Sequence, residues 1–231
     1  ILPFIDWGPF FHAWELRGSW RRLLEDPEKG ATARSLFADA QAMLARFTGK
    51  VSAKVAWGFF AAARQGDDVL VYADATSEVP LEKLCFLRQQ ELREGPYHCL
   101  ADYIAPAGGP SDSIAAFVVT AGLGAEELAA SYDAQHDPYN SILVKALADR
   151  LAEACTEMLH QRIRREWGYG RDENFDNEAL IQQDYRGIRP APGYPACPDH
   201  TEKARIWRLL GAEAIGASLT SSFRSEEHTS E

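Results

Sequence analysis

Basic residues are in deficit. The 231-residue chain carries 24 lysines and arginines against 34 aspartates and glutamates, a net charge of -10. A nucleic-acid partner calls for a basic face, so that class is set aside. Long apolar runs are missing as well: none approaches the ~20 consecutive apolar residues that a membrane-spanning helix needs. No basic-then-apolar leader is present, and a start at Ile1 rather than Met reads as an excerpt of a longer protein. Cysteine is scarce. The four, at 85, 99, 155 and 197, form no C-x-x-C pair, which excludes a zinc-ribbon spacing and a dense disulfide framework. Reduced thiols in a cytoplasmic protein are the expectation. Also lacking are a phosphate-cradling G-x-x-x-x-G-K-[ST], a G-x-G-x-x-G after a strand, any recognisable Ser/His/Asp or Cys/His spacing, and internal repeats.

What is present is a full core's worth of apolar residues, 46% against 25% charged, enough for one large domain or two small ones. The densest chemistry lies between Arg186 and His200. Four prolines, at 190, 192, 195 and 198, fix φ there and remove backbone donors. This predicts a stiff, extended loop that loses little entropy when a ligand settles on it. Gly193 alone is free to take positive φ. Around it stand Arg189, Tyr194, Cys197, Asp199 and His200. Such a loop suits a small-molecule site, and equally a connector between packed units. A metal site from Cys197, Asp199 and His200 has too tight a spacing, with prolines on either side.

The N-terminus is aromatic (Phe4, Trp7, Phe10, Phe11, Trp14, Trp20) and predicts burial. Asp6, set between Ile5 and Trp7, is either a helix N-cap or an acceptor for a ligand amine. Along the chain, periodicity predicts a helix over 27–47 and a strand over 54–60. A turn at 65–68 and a strand over 69–72 complete a hairpin. Further expectations are a polar loop at 74–80, a helix over 84–94, a short strand over 99–104 and a buried strand over 114–121. Helices follow over 125–133, 138–165, about 176–184 and 202–210. On the long helix, Leu143, Val144, Leu147, Leu151, Ala154, Cys155, Met158 and Leu159 share one face. Asp149, Glu153, Glu157, His160 and Arg164 share the opposite arc, whose ordinary reading is a solvated stripe with favourable charge spacings. Its functional reading turns one acid, Glu153, towards the proline-rich loop. Asp184 and Arg186 are candidates for orienting Arg189 or a ligand.

The run Arg189-Pro-Ala-Pro-Gly193-Tyr194, continued by Pro-Ala-Cys-Pro-Asp-His200, resembles the S-adenosylmethionine-binding loop of the activation domain of cobalamin-dependent methionine synthase, with its Arg-x-x-x-Gly-Tyr signature. Ile5-Asp6-Trp7-Gly8-Pro9-Phe10-Phe11, Arg88-Gln89-Gln90, Cys99-Leu100-Ala101-Asp102-Tyr103, Ala134-Gln135-His136-Asp137 with Tyr139, and the stretch 145–154 match in the same order. The resemblance covers residues 1–223. It implies a single C-shaped α+β domain with antiparallel strands and several helices. It also implies an S-adenosylmethionine site in which Arg189 pairs with the ligand carboxylate and Asp6 takes its ammonium. Ala191, Gly193 and Tyr194 hold the adenosine, with Glu153, Asp184, Pro190 and His200 as further site residues. The implied role is to rescue oxidised cobalamin by reductive methylation, within an enzyme that passes a methyl group from methyltetrahydrofolate to homocysteine. Cobalamin is expected on another domain and zinc on a remote one. The expected partners are that cobalamin domain and a flavodoxin-like reductase, for which Arg162, Arg164 and Arg165 form a candidate basic patch. An interaction module that docks both without holding a ligand is the alternative. After residue 223 the resemblance stops, and 224–231 reads as a non-native tail replacing a segment that returns a strand and a tyrosine to the site.

Overall fold

The computed structural model describes residues 1–223 and the backbone of 225–227. They fall into two compact units: Ile1–Lys54 with Val119–Arg186, and Val55–Val118 with the residues from Gly187 onward.

The first unit is helical. Asp6 caps α1 (Trp7–Ala13) by accepting the amide of Gly8 at 2.9 Å, satisfying one of the orphan donors at a helix start. After α2 (Trp20–Glu25) and α3 (Gly30–Phe47) the chain leaves, returning to form α4 (Ala125–Asp133), α5 (Pro138–Trp167) and α6 (Asn177–Ile181). The aromatic N-terminus is buried as expected: Trp7, Phe10 and Phe11 join Ala33, Met43, Ala129, Leu143 and Leu147 in one core. Each fully buried side chain of this size contributes about 1.5–3 kcal/mol. Trp7 sets its ring edge-on to Phe10 and Phe37, at centroid distances of 5.4 and 4.8 Å.

Helix α5 starts where Asp137 accepts from the amide of Asn140 and Pro138 occupies the first turn. It ends at Gly168 in left-handed backbone. Its apolar face is buried as the spacing predicts, with Leu151 and Met158 half-buried. The opposite arc is not the solvated stripe expected. Asp149 and Glu153 are exposed, but Glu157, His160 and Arg164 are buried. The segment after Gly168 folds back over that arc, bringing Glu173 onto Arg164 and the ring of Tyr185 against both Arg164 and His160. Arg164 also drops out of the candidate basic patch for the same reason, while Arg162 and Arg165 remain exposed. Arg164 is fully buried, while Arg162 pairs with Glu166 at 2.6 Å.

The second unit holds most of a four-stranded sheet of order β3-β2-β1-β4, formed by β1 (Ser52–Gln65), β2 (Asp68–Tyr72), β3 (Glu82–Cys85) and β4 (Asp112–Leu123). The unit division crosses β1 and β4. Gly66, at φ 68, supplies the left-handed residue of the two-residue turn that pairs Gln65 with Asp68. Two expectations are corrected here. Residues 84–94 are not a helix: Leu84 lies in β3 opposite Val69, and Leu84 and Phe86 enter an apolar cluster with Val69, Val71, Cys99 and Cys197. The open edge of β2 outweighs a helical period in a segment this short. Nor is 99–104 a strand. The Asp102 carboxylate accepts the Cys99 amide and both terminal nitrogens of Arg88, tightening Leu100–Tyr103 into a 3-10 helix. Helix α7 (Glu202–Leu210) occupies the expected span, and Trp207 donates its indole N–H to the Ala217 carbonyl at 3.2 Å. Of the expected non-native tail, Arg224 and residues 228–231 lie outside the described residues. The backbone of Ser225–Glu227 forms β6, antiparallel to β5 (Ala217–Leu219). No described helix is long and apolar enough to cross a membrane.

Candidate functional site

The proline-rich loop is not extended. Three of its central donors turn inward: Tyr194 N donates to the Ala191 carbonyl (3.1 Å), Cys197 N to the Tyr194 carbonyl (2.8 Å), and Gly193 N to the Cys197 carbonyl (2.7 Å). The prolines remove competing donors and fix φ, while Gly193, at φ 110, supplies the reversal that lets the turns close on each other. The result is a compact double turn. It is tied to the unit by the amide of Leu100, which donates to the Ala196 carbonyl at 2.8 Å, and by the Cys197 side chain, sunk in the apolar cluster. Burial pushes the Cys197 thiol up to about 12. Among the described residues no group of three or more His, Cys, Asp or Glu side chains is placed to hold a metal ion.

One face of the loop is closed by His200. A Cβ built on Gly193 would stand 2.3 Å from His200 Cε1 and 2.8 Å from Nε2, so the imidazole packs directly on the glycine. Asp199 accepts the Thr201 amide at 2.8 Å, and its bonds to that amide and hydroxyl hold its carboxyl below the usual range. The first turn of α7 then carries Glu202, which is 1% exposed. It accepts the Cys85 amide at 2.9 Å and lies 3.5 Å from Arg205. Burial raises its carboxyl pKa. A charge placed this way fixes the loop's C-terminal end to β3. The sequence reading saw Glu202 only as a helix residue, because its partner amide lies 117 positions away. On the loop itself, Arg189 and Pro190 are half-buried, and Ala191, Gly193, Tyr194 and His200 are exposed. The side chains a ligand would meet are therefore held on a backbone that is already folded.

The remaining candidates belong to the first unit. Asp6 is half-buried, and its cap uses Oδ1 only. Among the described residues Oδ2 receives no hydrogen bond. The cap thus uses one oxygen of Asp6 and does not conflict with the other reading of this residue. Asn177 donates from Nδ2 to the Ile5 carbonyl at 3.1 Å and so braces the residue before Asp6. Sequence reasoning missed this contact, since 172 positions separate the two. Glu153 is exposed on α5 and Asp184 is exposed after α6. The Arg186 guanidinium lies 5.8 Å from the Tyr169 ring centroid. Two open concavities of about 420 and 160 Å³ also lie on this unit, one at Lys50, Gly124 and Glu127, the other at Asp39, Arg46 and Tyr139. Neither involves a residue of the candidate ligand site.

The loop of the second unit offers a cation at Arg189, a rigid backbone turn and a phenol at Tyr194; the first unit, taken by itself, offers a half-open carboxylate at Asp6. A rigid loop furnished with such polar groups is the form expected of a small-molecule site. Comparison with known proteins agrees. A crystal structure of the MetH reactivation domain bound to AdoHcy is similar to this chain at 49% sequence identity and a TM-score of 0.92. The match covers 97% of this chain and 71% of that one. Residues 1–228 match the family described as vitamin B12 dependent methionine synthase, activation domain. With the fold, the loop and the match over nearly its whole length in agreement, the chain belongs to the activation-domain family of vitamin B12-dependent methionine synthase.

Proposed function

We propose that this chain is the S-adenosylmethionine-binding reactivation module of a cobalamin-dependent methionine synthase, supporting reductive methylation of cob(II)alamin to methylcobalamin, and that residues 1–223 work as one module to which both units contribute. The observation that carries the reading is the loop Arg189–Tyr194, folded by its own hydrogen bonds around a left-handed glycine, in a chain similar to a reactivation domain bound to AdoHcy.

The donor set fits the ligand. The planar fork of Arg189 suits a carboxylate. Asp6 Oδ2 suits an α-ammonium. Backbone groups at Ala191 and Gly193, with the Tyr194 phenol, suit the adenosine. Glu153, Asp184, Pro190 and His200 complete the surroundings as secondary contacts. When bound, S-adenosylmethionine supplies a methyl group on a positively charged sulfur, which leaves without help from a general base. The residues here therefore bind and orient: rigid positioning of a donor can supply much of the barrier reduction in a transfer step. Cobalamin is carried by another domain of the parent enzyme, which is the first partner of this module. The electron comes from a flavodoxin-like reductase, the second. The module acts in the cytoplasm, and zinc, folate and homocysteine belong to remote parts of the parent.

The test is calorimetric titration of S-adenosylmethionine and of AdoHcy into the folded chain. Saturable 1:1 binding is expected. Absence of binding by a chain shown to be folded overturns the reading.

A further inference from the structure

We propose that Arg164 is a positioning residue for the ligand loop: it clamps Tyr185, the residue from which the chain sets out for Arg189. The proposal rests on the reading of that loop as the ligand site.

Arg164 is the largest fully buried side chain among the described residues. Taking a guanidinium out of water is costly, and a buried ion pair is poor value as a stability device, since apolar side chains of similar volume do as well. What this one does is join three segments. From α5, its Nε reaches both carboxylate oxygens of Glu173, at 2.9 and 3.2 Å. Its Nη1 lies 2.9 Å from Nδ1 of His160, one turn earlier. Its Cζ sits 4.0 Å from the centroid of the Tyr185 ring, whose edge-on contact with His160 is at 4.9 Å. The Arg164 carbonyl accepts the amide of Gly170, and a Cβ on Gly170 would stand 2.8 Å from the Arg164 Cβ. The chain after α5 is thus pressed onto this arginine at its beginning, in its middle and at its end.

Only Arg186, Gly187 and Ile188 separate Tyr185 from Arg189, and Arg186, Gly187 and Ile188 are all exposed. The far end of the loop is fixed by Glu202 on Cys85. The near end has Tyr185 as its buried anchor. An anchored Tyr185 leaves only three residues between a fixed point and Arg189, which lowers the ordering cost that remains when the ligand arrives.

The test compares Tyr185→Leu, which keeps an apolar side chain but removes the aromatic face, with Tyr185→Phe, which keeps that face. AdoHcy affinity is measured by calorimetry at a temperature where circular dichroism shows each variant fully folded. Amide exchange over 186–194 is followed without ligand. The expected result is about tenfold weaker AdoHcy binding for Tyr185→Leu, a coupling of ordinary size for a residue outside the site, with faster exchange over 186–194. Tyr185→Phe stays within about threefold of the original chain on the same scale. Unchanged affinity in a folded Tyr185→Leu, or unchanged exchange, overturns the clamp. If the unaltered chain binds no AdoHcy, the ligand reading falls, and the exchange data alone decide the clamp.

Discussion

The imidazole of His200 occupies the space that a side chain at residue 193 would need: a Cβ on Gly193 would come within 3.0 Å of three of its ring atoms. Two constraints therefore act on one position, since Gly193 also holds φ at 110. Gly193→Ala is expected to destabilise the chain by about 1–2 kcal/mol from backbone conformation alone, with a further loss from the collision. Adding His200→Ala should recover the collision part and leave the backbone part. Urea denaturation of the single and double variants measures both. Equal stability of the two would show that the ring yields without cost.

The Arg189 guanidinium is expected to carry the largest polar share of ligand affinity. Arg189→Ala should weaken AdoHcy binding by roughly 1.5–3 kcal/mol, about ten- to a hundredfold, as for loss of a hydrogen bond between charged groups. Arg189→Lys should fall between, because an ammonium keeps the charge but not the fork. Titration calorimetry reads the order. A lysine variant as weak as alanine would mean that geometry dominates charge.

The proposed reading gives Asp6 a second duty, the ligand ammonium, beside the cap it makes to the Gly8 amide. Asp6→Asn keeps a capping oxygen for the Gly8 amide and removes the negative charge. Asp6→Ala removes both, and should cost about 1 kcal/mol of stability more than asparagine. Both variants should bind AdoHcy more weakly, by similar factors. Thermal unfolding and calorimetry on the same samples separate the cap from the ammonium contact. An asparagine variant that binds normally would remove Asp6 from the site.

Glu202 gives a pH signature. Burial raises its carboxyl above the ordinary value of 4.5, opposed by the Cys85 amide and by Arg205. A group whose folded pKa is raised contributes stability that is present below the unfolded value and is lost as pH rises through the folded value. Glu202→Gln keeps an acceptor for the Cys85 amide and does not titrate. The stability of the original chain relative to this variant should therefore be least favourable at neutral pH and improve as pH falls towards 4.5. Urea unfolding at both pH values tests the sign, and a difference that moves the other way would mean that the Arg205 pairing outweighs burial.

Much of this molecule is determined by its local sequence. The hairpin around Gly66, the ends of α4 and α7, and the cap and proline start of α5 follow from turn residues, caps and apolar period, because each depends on neighbours within a few positions. The loop could be located for the same reason: four prolines around a lone glycine exclude helix and central strand wherever the chain later places them. The family resemblance then supplied roles for Asp6 and Arg189 that composition left open.

Tertiary structure decided what depends on partners distant in the chain. Residues 84–94 have a helical period, yet the edge of β2 takes Leu84 into a strand. The polar arc of α5 looks solvated until Glu173 and Tyr185 return across it and bury Arg164. The proline-rich stretch reads as an extended loop, and becomes a double turn because Gly193, Tyr194 and Cys197 find acceptors inside it. In each case local preference amounts to a fraction of a kcal/mol per residue, whereas desolvation of a charge or loss of a backbone hydrogen bond amounts to more. Sequence therefore fixed which groups could bind a ligand, and packing decided which of them are held in place and by what.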